Sequence, residues 1–158
     1  MCDYSLQGLP NRLAAEGEEL VVHRFLTSTI GFTSPHEARA IAEARAAPKR
    51  SGFWSAIKDL FSVETGPSAT AVCIPPGARL SLQDIPERLQ REFGVGRNEE
   101  VTFTQLTAQP YAYRDAVRFD NGREVLLQKL EPGQRAVVLR LALAEEVAEP
   151  ETAYASVL

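Results

Sequence analysis

Apolar and polar residues alternate along much of the chain in the pattern typical of β-strands. The clearest run, 18–27, has apolar side chains on both faces and therefore predicts a central strand covered on both sides. This strand would place His23 in or beside the core. Shorter runs at 69–74 and 101–104 predict further strands. The last run, 137–143, predicts a strand in which Val137, Leu139, Leu141 and Leu143 share one face.

Two turns join the predicted strands of the C-terminal half. Asn121-Gly122 stands between two apolar runs, which is a strong hairpin signal because both residues tolerate the positive φ of a tight turn. Pro132-Gly133 supplies the second turn, before the run at 137–143. The strands joined by these turns predict a three-strand antiparallel meander.

Two segments carry helix start signals. Ser34 can accept a hydrogen bond from the free amide groups of a first turn, and Glu37 completes a capping box for a helix running to about Ala47. Its apolar face is mostly alanine, which buries little area and indicates a peripheral helix. Asp84 opens a second capped helix, which Gly94 ends.

These elements, with a length of 158 residues and an apolar fraction of 44%, indicate one domain with one core. We predict an α+β fold, either a mainly antiparallel sheet or a small partly open β-barrel, with two to three helices. Residues 1–143 form this single globular domain, with 34–62 as a helical excursion. Residues 144–158 are predicted to be a disordered acidic tail because they contain few large apolar side chains.

Charge and apolar run length exclude several classes of protein. The net charge of −4 comes from four glutamates of the tail, so 1–143 is neutral and lacks the basic stripe that binds phosphates. Nucleic acid is therefore not expected as a partner. No apolar run reaches the ~20 residues of a membrane helix, so we expect no membrane span. Without a signal peptide pattern and with only Cys2 and Cys73, the protein is placed in the cytoplasm with both thiols reduced.

The residue with the most distinctive chemistry is Cys2, because removal of Met1 would leave a cysteine with a free α-amino group. An α-amine has a pKa near ~8 and can act as a base toward the adjacent thiol. Asn11 and Arg12 would serve as oxyanion donor and anion clamp. The opening Met1-Cys2 resembles that of class II glutamine amidotransferases and of the SRAP DNA–protein crosslink sensors, although Asp3 stands where those families carry glycine. This resemblance implies an enzyme with a processed Cys2 nucleophile.

A metal site is a second hypothesis for the same cysteine. Cys2, His23 and Cys73 would offer two thiolates and an imidazole, the ligands that suit zinc, iron or copper, and His36 would add a fourth. Their spacing matches no metal motif, so the site requires convergence in three dimensions. The alternative is that His23 is a hydrogen-bonded strand residue and Cys73 a buried thiol.

The segment 53–61 predicts a short amphipathic helix that could bind a partner. Its apolar residues fall at helical spacing, with an aromatic flank, and basic residues precede it. The candidate contact residues are Phe53, Trp54, Ile57 and Phe61. The alternative is that this helix packs on the protein's own core.

The sequence contains none of the common catalytic motifs, such as G-x-S-x-G, H-E-x-x-H or a phosphate-binding loop. We therefore expect a small cytosolic binding or regulatory protein. An enzyme using Cys2, a metal-binding protein and an interaction module acting through 53–61 remain alternatives. A protein partner and a homo-oligomer are both left open.

Overall fold

The computed structural model describes residue 6 and residues 8–46, 68–109 and 112–141. These residues form nine strands and two α-helices, so the predicted α+β class is confirmed. The strands are β1 (Asn11–Leu13), β2 (Glu19–Arg24), β3 (Ile30–Thr33), β4 (Ala71–Cys73), β5 (Arg79–Gln83), β6 (Glu99–Gln105), β7 (Asp115–Phe119), β8 (Glu124–Leu126) and β9 (Arg135–Arg140). The helices are α1 (Pro35–Ala46) and α2 (Glu87–Phe93), and a 3-10 turn spans Leu127–Lys129.

All nine strands belong to one sheet, in the order β1-β4-β3-β2-β9-β5-β6-β7-β8. The pair β1–β4 is parallel and the other pairs in the described ranges are antiparallel. The end strands β1 and β8 do not pair with each other, so the sheet is not a closed barrel. Of the two predicted forms, the mainly antiparallel sheet is therefore the correct one and the partly open barrel is not. The expected helix at 53–61 and the expected tail at 144–158 lie outside the described residues.

One face of the sheet carries the main core, because residues two apart on a strand point to the same side. The cluster combines strand pairs with the buried face of α2. The strand pairs are Leu20 and Val22, Leu80 and Leu82, Val101 and Phe103, Val117 and Phe119, and Ala136 and Val138. Ile85, Leu89 and Phe93 join them from the α2 region, as their helical spacing predicts. The large central cluster thus follows directly from the period-two alternation of the strands.

Helix α1 covers part of the opposite face, across β2. Ile41 is its buried residue among the described ones, which confirms the prediction of a peripheral helix. Ile41 belongs to a smaller buried cluster with Leu6, Phe25 and Cys73. None of the helices in the described ranges is long and apolar enough to cross a bilayer.

At the start of α1, one of the two hydrogen bonds of the predicted capping box forms. The backbone N–H of Glu37 donates to Ser34 Oγ over 3.3 Å, as expected. The Glu37 carboxylate, however, accepts hydrogen bonds from Thr70 Oγ1 at 2.9 Å, Thr70 N at 3.2 Å and Thr33 Oγ1 at 3.0 Å. It therefore joins the helix to the residues beside β3 and β4 instead of closing its own first turn.

The predicted cap of α2 was wrong. The helix begins at Glu87, and Pro86 stands at the N-cap position without a side-chain cap. Asp84 has a positive φ of 53°, and its carboxylate accepts hydrogen bonds from Arg97 and Arg135, each at 2.8 Å. Two guanidinium groups therefore hold the residue expected to cap the helix. The C-terminal stop is confirmed, because Gly94 adopts the left-handed conformation.

The predicted meander was wrong in its last strand. The hairpin β7–β8 forms as expected, but β9 pairs with β2 and β5 in the middle of the sheet. The 3-10 turn after β8 carries the chain out of that hairpin. The buried residues of β9 are Ala136 and Val138, whereas Leu139 is 43% exposed. The core face of β9 is thus the one that carries Ala136 and Val138, because the two neighbouring strands fix the register.

Candidate functional site

A groove lies between α1 and β2, next to the turn that precedes β9. Its volume is about 360 Å³, and its walls are residues 21–24 of β2, the 38–45 face of α1 and the turn at 132–133. The small side chains of Ala38 and Ala42 leave this space open, while Ile41 is buried at its base. The alanine-rich helix face therefore creates a cleft where larger residues would have filled it.

The groove has a basic rim. Arg45 lies on the α1 wall and its side chain is exposed, whereas Arg24 lines the β2 wall but follows His23 on the strand, so its side chain points to the opposite face of the sheet. No acidic residue is found among the described residues that line the groove. Neither arginine takes part in an ion pair within the part of the chain that the structure describes. The described lining thus combines an apolar floor with one positive charge, that of Arg45, on the α1 side.

His23 forms part of the groove wall and is close enough to Arg45 to be affected by its charge. Its ring is half-buried and packs edge-to-face on Phe25, with the ring centroids 5.1 Å apart. Burial lowers the pKa of His23 below its ordinary value of 6.5, and the positive charge of Arg45 lowers it further. The imidazole is therefore neutral at pH 7 and offers one donor and one acceptor.

A second cavity, of about 390 Å³, adjoins the groove and shares Arg24 and Pro132 with it. Its other charged residues compensate one another. Arg88 lies 3.4 Å from Glu92 and 3.5 Å from Glu131, and Lys129 lies 3.6 Å from Glu92. We take the α1–β2 groove as the candidate site, because its described lining is mostly apolar and contains no ion pair.

The expectation of a reduced Cys73 was wrong, because Cys73 is disulfide-bonded in the structure. The bond removes the thiolate that a metal site would need. Cys2, the chain's only other cysteine, lies outside the described residues. The error arose because cysteine spacing and the inferred compartment contain no information about which sulfurs meet in space.

His23 and Cys73 lie in one row on the same face of the sheet. His23 pairs with Gly31, and the antiparallel pairing of Phe32 with Val72 continues that row to Cys73. Two strand spacings separate them, roughly 10 Å. A Cβ on Gly31 would lie 2.9 Å from Leu6 Cδ1 and 3.2 Å from Phe25 Cε2. Apolar side chains therefore occupy the space above Gly31.

Within the described ranges no group of three or more His, Cys, Asp or Glu side chains could hold a metal ion. The predicted set of Cys2, His23 and Cys73 includes a residue outside those ranges and needs a reduced Cys73, so the metal hypothesis stays a prediction for the reduced protein only. His36, the suggested fourth ligand, is exposed on the first turn of α1.

Asn11 and Arg12 are placed on β1, an edge strand. The Asn11 side-chain amide donates to the carbonyl of Leu9 over 3.0 Å. Arg12 binds both carboxylate oxygens of Glu18, one of them at 3.0 Å. Hydrogen bonding raises the pKa of Arg12 and lowers that of Glu18. Both predicted site residues thus have local partners, and the role proposed for Cys2 with them stays a prediction.

The predicted contact residues Phe53, Trp54, Ile57 and Phe61 lie outside the described residues, so partner binding by this segment stays a prediction. Sequence reasoning missed the groove. Arg24 lies inside the predicted strand 18–27 and Arg45 suits the last turn of a helix, so each had a sufficient local explanation. No sequence signal joins two residues whose proximity depends on how a helix packs across a sheet.

Known proteins add no further guide to the site. No family model, curated protein or solved structure matches this chain.

Proposed function

We propose that this chain is a binding protein whose site for small organic ligands is the α1–β2 groove. The observation that carries the proposal is the combination of a cleft of about 360 Å³, an apolar floor and the exposed Arg45 at its rim. Ligand sites are typically concave and mostly apolar, with a few polar groups that fix the orientation of the ligand. The groove has this composition.

The two walls of the groove are held in place by other parts of the fold. β2 lies inside the sheet between β3 and β9, and its Leu20 and Val22 are buried in the main core. The α1 wall is attached through the three hydrogen bonds to the Glu37 carboxylate. Preformed walls reduce the cost of ordering the protein when a ligand binds, which favours a binding role.

The proposal is tested with the full chain labelled with ¹⁵N and titrated separately with hexanol, hexanoate and hexylamine. At least one probe should shift the amide signals of residues 21–24, 38–45 and 133 in a saturable manner. These three probes share one alkyl chain and differ in charge, so the test of binding does not assume a ligand class.

Matched variants on α1 show whether the groove itself binds the probe. Ala42→Leu should fill the groove and weaken binding on the order of tenfold, whereas Ala44→Leu, an exposed position outside the lining, should bind as the wild type does. Absence of saturable shifts with all three probes, or unchanged binding by Ala42→Leu, would show that the groove is not a ligand site.

A further inference from the structure

We infer that Asn121-Gly122, in the turn of the β7–β8 hairpin, is a site of spontaneous deamidation that the folded structure protects, and that the reaction there loosens α2. This inference is independent of the α1–β2 groove and of its ligand. It follows from the reactive dipeptide, from the hydrogen bonds that hold its side chain, and from the helix end to which that side chain is bonded.

Deamidation needs only an asparagine, the backbone nitrogen that follows it and water. The nitrogen of Gly122 attacks Cγ of Asn121, a five-membered succinimide ring forms, and the side-chain nitrogen leaves as ammonia. Water then opens the ring at one of its two carbonyl groups, which yields aspartate or isoaspartate at position 121. Glycine favours the attack because it has no side chain to obstruct it. Both residues are exposed, so water and base can reach them.

The folded turn engages both reacting groups in other bonds. The Asn121 carboxamide is held at both ends, since Nδ2 donates to the Phe93 carbonyl over 2.9 Å and Oδ1 accepts from the Arg123 N–H over 3.0 Å. The N–H of Gly122 donates to the Phe119 carbonyl over 2.9 Å. Rotation of the carboxamide toward the Gly122 nitrogen would break the bonds that the carboxamide makes. The turn must therefore open locally before the reaction can proceed.

The Asn121 side chain also completes the C-terminus of α2. The last carbonyl groups of a helix have no partners within the helix. Asn121 Nδ2 donates to the carbonyl of Phe93 and, over 3.4 Å, to that of Gly94. Arg123 Nη1 donates to the carbonyl of Glu92 over 2.7 Å. The hairpin turn therefore supplies the donors that the end of α2 needs.

Deamidation would replace this donor by an acceptor. A carboxylate has no N–H to donate, so its oxygens would face the Phe93 and Gly94 carbonyls with partial charges of the same sign. Its negative charge would also lie at the negative end of the helix dipole, where an anion is unfavourable. Leu89 and Phe93 of α2 belong to the main core, so a reaction in an exposed turn would affect the packing beneath the helix.

The site is tested by peptide mapping of the full chain after incubation in native buffer and in guanidinium chloride at the same mildly alkaline pH. In the denaturant, Asn121 should deamidate faster than Asn11 and Asn98, which precede larger residues. In the folded chain, the rate at Asn121 should be at least about tenfold lower than in the denaturant. Equal rates in the two conditions would overturn the protection, and faster reaction at Asn11 or Asn98 in the denaturant would overturn the choice of site.

The effect on α2 is tested with Asn121→Asp, which carries one of the two products. Amide hydrogen exchange of Gly94 and Val95, whose N–H groups close the C-terminal turn of α2, should accelerate about tenfold or more. Asn98→Asp is the matched control, because Asn98 Oδ1 accepts from the Asp84 N–H and a carboxylate oxygen can do the same. The control should exchange at the wild-type rate. If Asn121→Asp does so too, deamidation does not loosen the helix.

Discussion

At the scale of single residues, His23 shows how the neighbours of a side chain change its chemistry. The alternation of the 18–27 run predicts its position in or beside the core, and the structure places it half-buried on β2. The sequence did not reveal its two main partners. Phe25 packs on the ring, and Arg45 comes from a helix 22 residues further along the chain. The lowered pKa depends on this long-range approach of a cation as well as on burial.

The lowered pKa of His23 predicts an acid-sensitive contribution to stability. The unfolded chain binds a proton at about pH 6.5, whereas the folded chain binds it only at lower pH. The free energy of unfolding is therefore at its full value above that pH and falls as the pH drops toward the folded pKa. Urea unfolding at about pH 7.5, 6.5 and 5.5 should show a steeper loss for the wild type than for His23→Gln.

The comparison needs a control because several carboxylates also titrate in acid. His36→Gln serves this purpose, since His36 is exposed on α1 and should leave the stability profile of the wild type unchanged. Parallel profiles for the wild type and His23→Gln would contradict the prediction.

At the scale of elements, α1 is a helix that contributes few buried apolar side chains to the core. It buries Ile41 and otherwise presents alanine and charged residues, so packing alone holds it weakly. The Glu37 carboxylate compensates by accepting three hydrogen bonds from Thr33 and Thr70. Burial by itself would raise the pKa of Glu37, but these hydrogen bonds together lower it by more than burial raises it. Its pKa therefore lies below the ordinary 4.5. The ionised carboxylate is therefore the form that holds the helix.

Glu37→Gln should destabilise the fold by about 1–2 kcal/mol, because a neutral amide replaces a charged acceptor and offers one oxygen instead of two. Equilibrium urea unfolding at neutral pH measures the change. Glu43→Gln, exposed on the same helix, should alter stability much less. The difference between wild type and Glu37→Gln should disappear as the pH falls below about 4.5 and Glu37 becomes protonated. Equal effects of the two substitutions at neutral pH would show that only the net charge matters.

At the scale of the whole molecule, one side chain makes backbone hydrogen bonds between distant parts of the open sheet. Gln128 lies in the 3-10 turn after β8, and its amide makes two hydrogen bonds to the backbone of Ile30 in β3. Its Oε1 accepts from the Ile30 N–H over 3.0 Å, and its Nε2 donates to the Ile30 carbonyl over 2.9 Å. This contact joins sequence positions 98 residues apart and connects the two halves of the curved sheet.

Gln128→Ala should lower the free energy of unfolding by about 1–3 kcal/mol, since it leaves the backbone N–H and C=O of a buried residue without these partners. Ile30 is only 4% exposed, so water cannot easily replace the lost bonds. Chemical unfolding measures the loss, and amide hydrogen exchange of Ile30 should accelerate. Gln83→Ala, which removes the same amide from a partly exposed strand position, should change stability by less than half as much. Slow exchange of Ile30 in Gln128→Ala would mean that the contact is dispensable.

Features governed by neighbouring residues were predicted well from the sequence. Ser34 starts α1, Gly94 ends α2, and the hairpin turn at Asn121-Gly122 forms as expected. The alternation of β2 also predicted a strand inside the sheet. Each of these features depends on capping, on backbone conformation or on a period of two, which a short segment contains in full.

Features that depend on distant partners were not predicted. Two arginines bind Asp84 in place of its expected capping role, and β9 pairs with β2 and β5 instead of extending the hairpin β7–β8. Cys73 is disulfide-bonded although composition suggested a free thiol. The groove between α1 and β2, with Arg45 at its rim, was not predicted at all.

The sequence by itself therefore determined the α+β class, most of the strands, the start of α1 and the end of α2, because local hydrogen bonding and hydrophobic periodicity specify them. Only the tertiary structure decided the order of the nine strands, the register of β9, the partners of Asp84 and Glu37 and the position of the candidate site. These depend on contacts between residues far apart in the chain, whose free energies are gained only when the elements pack together.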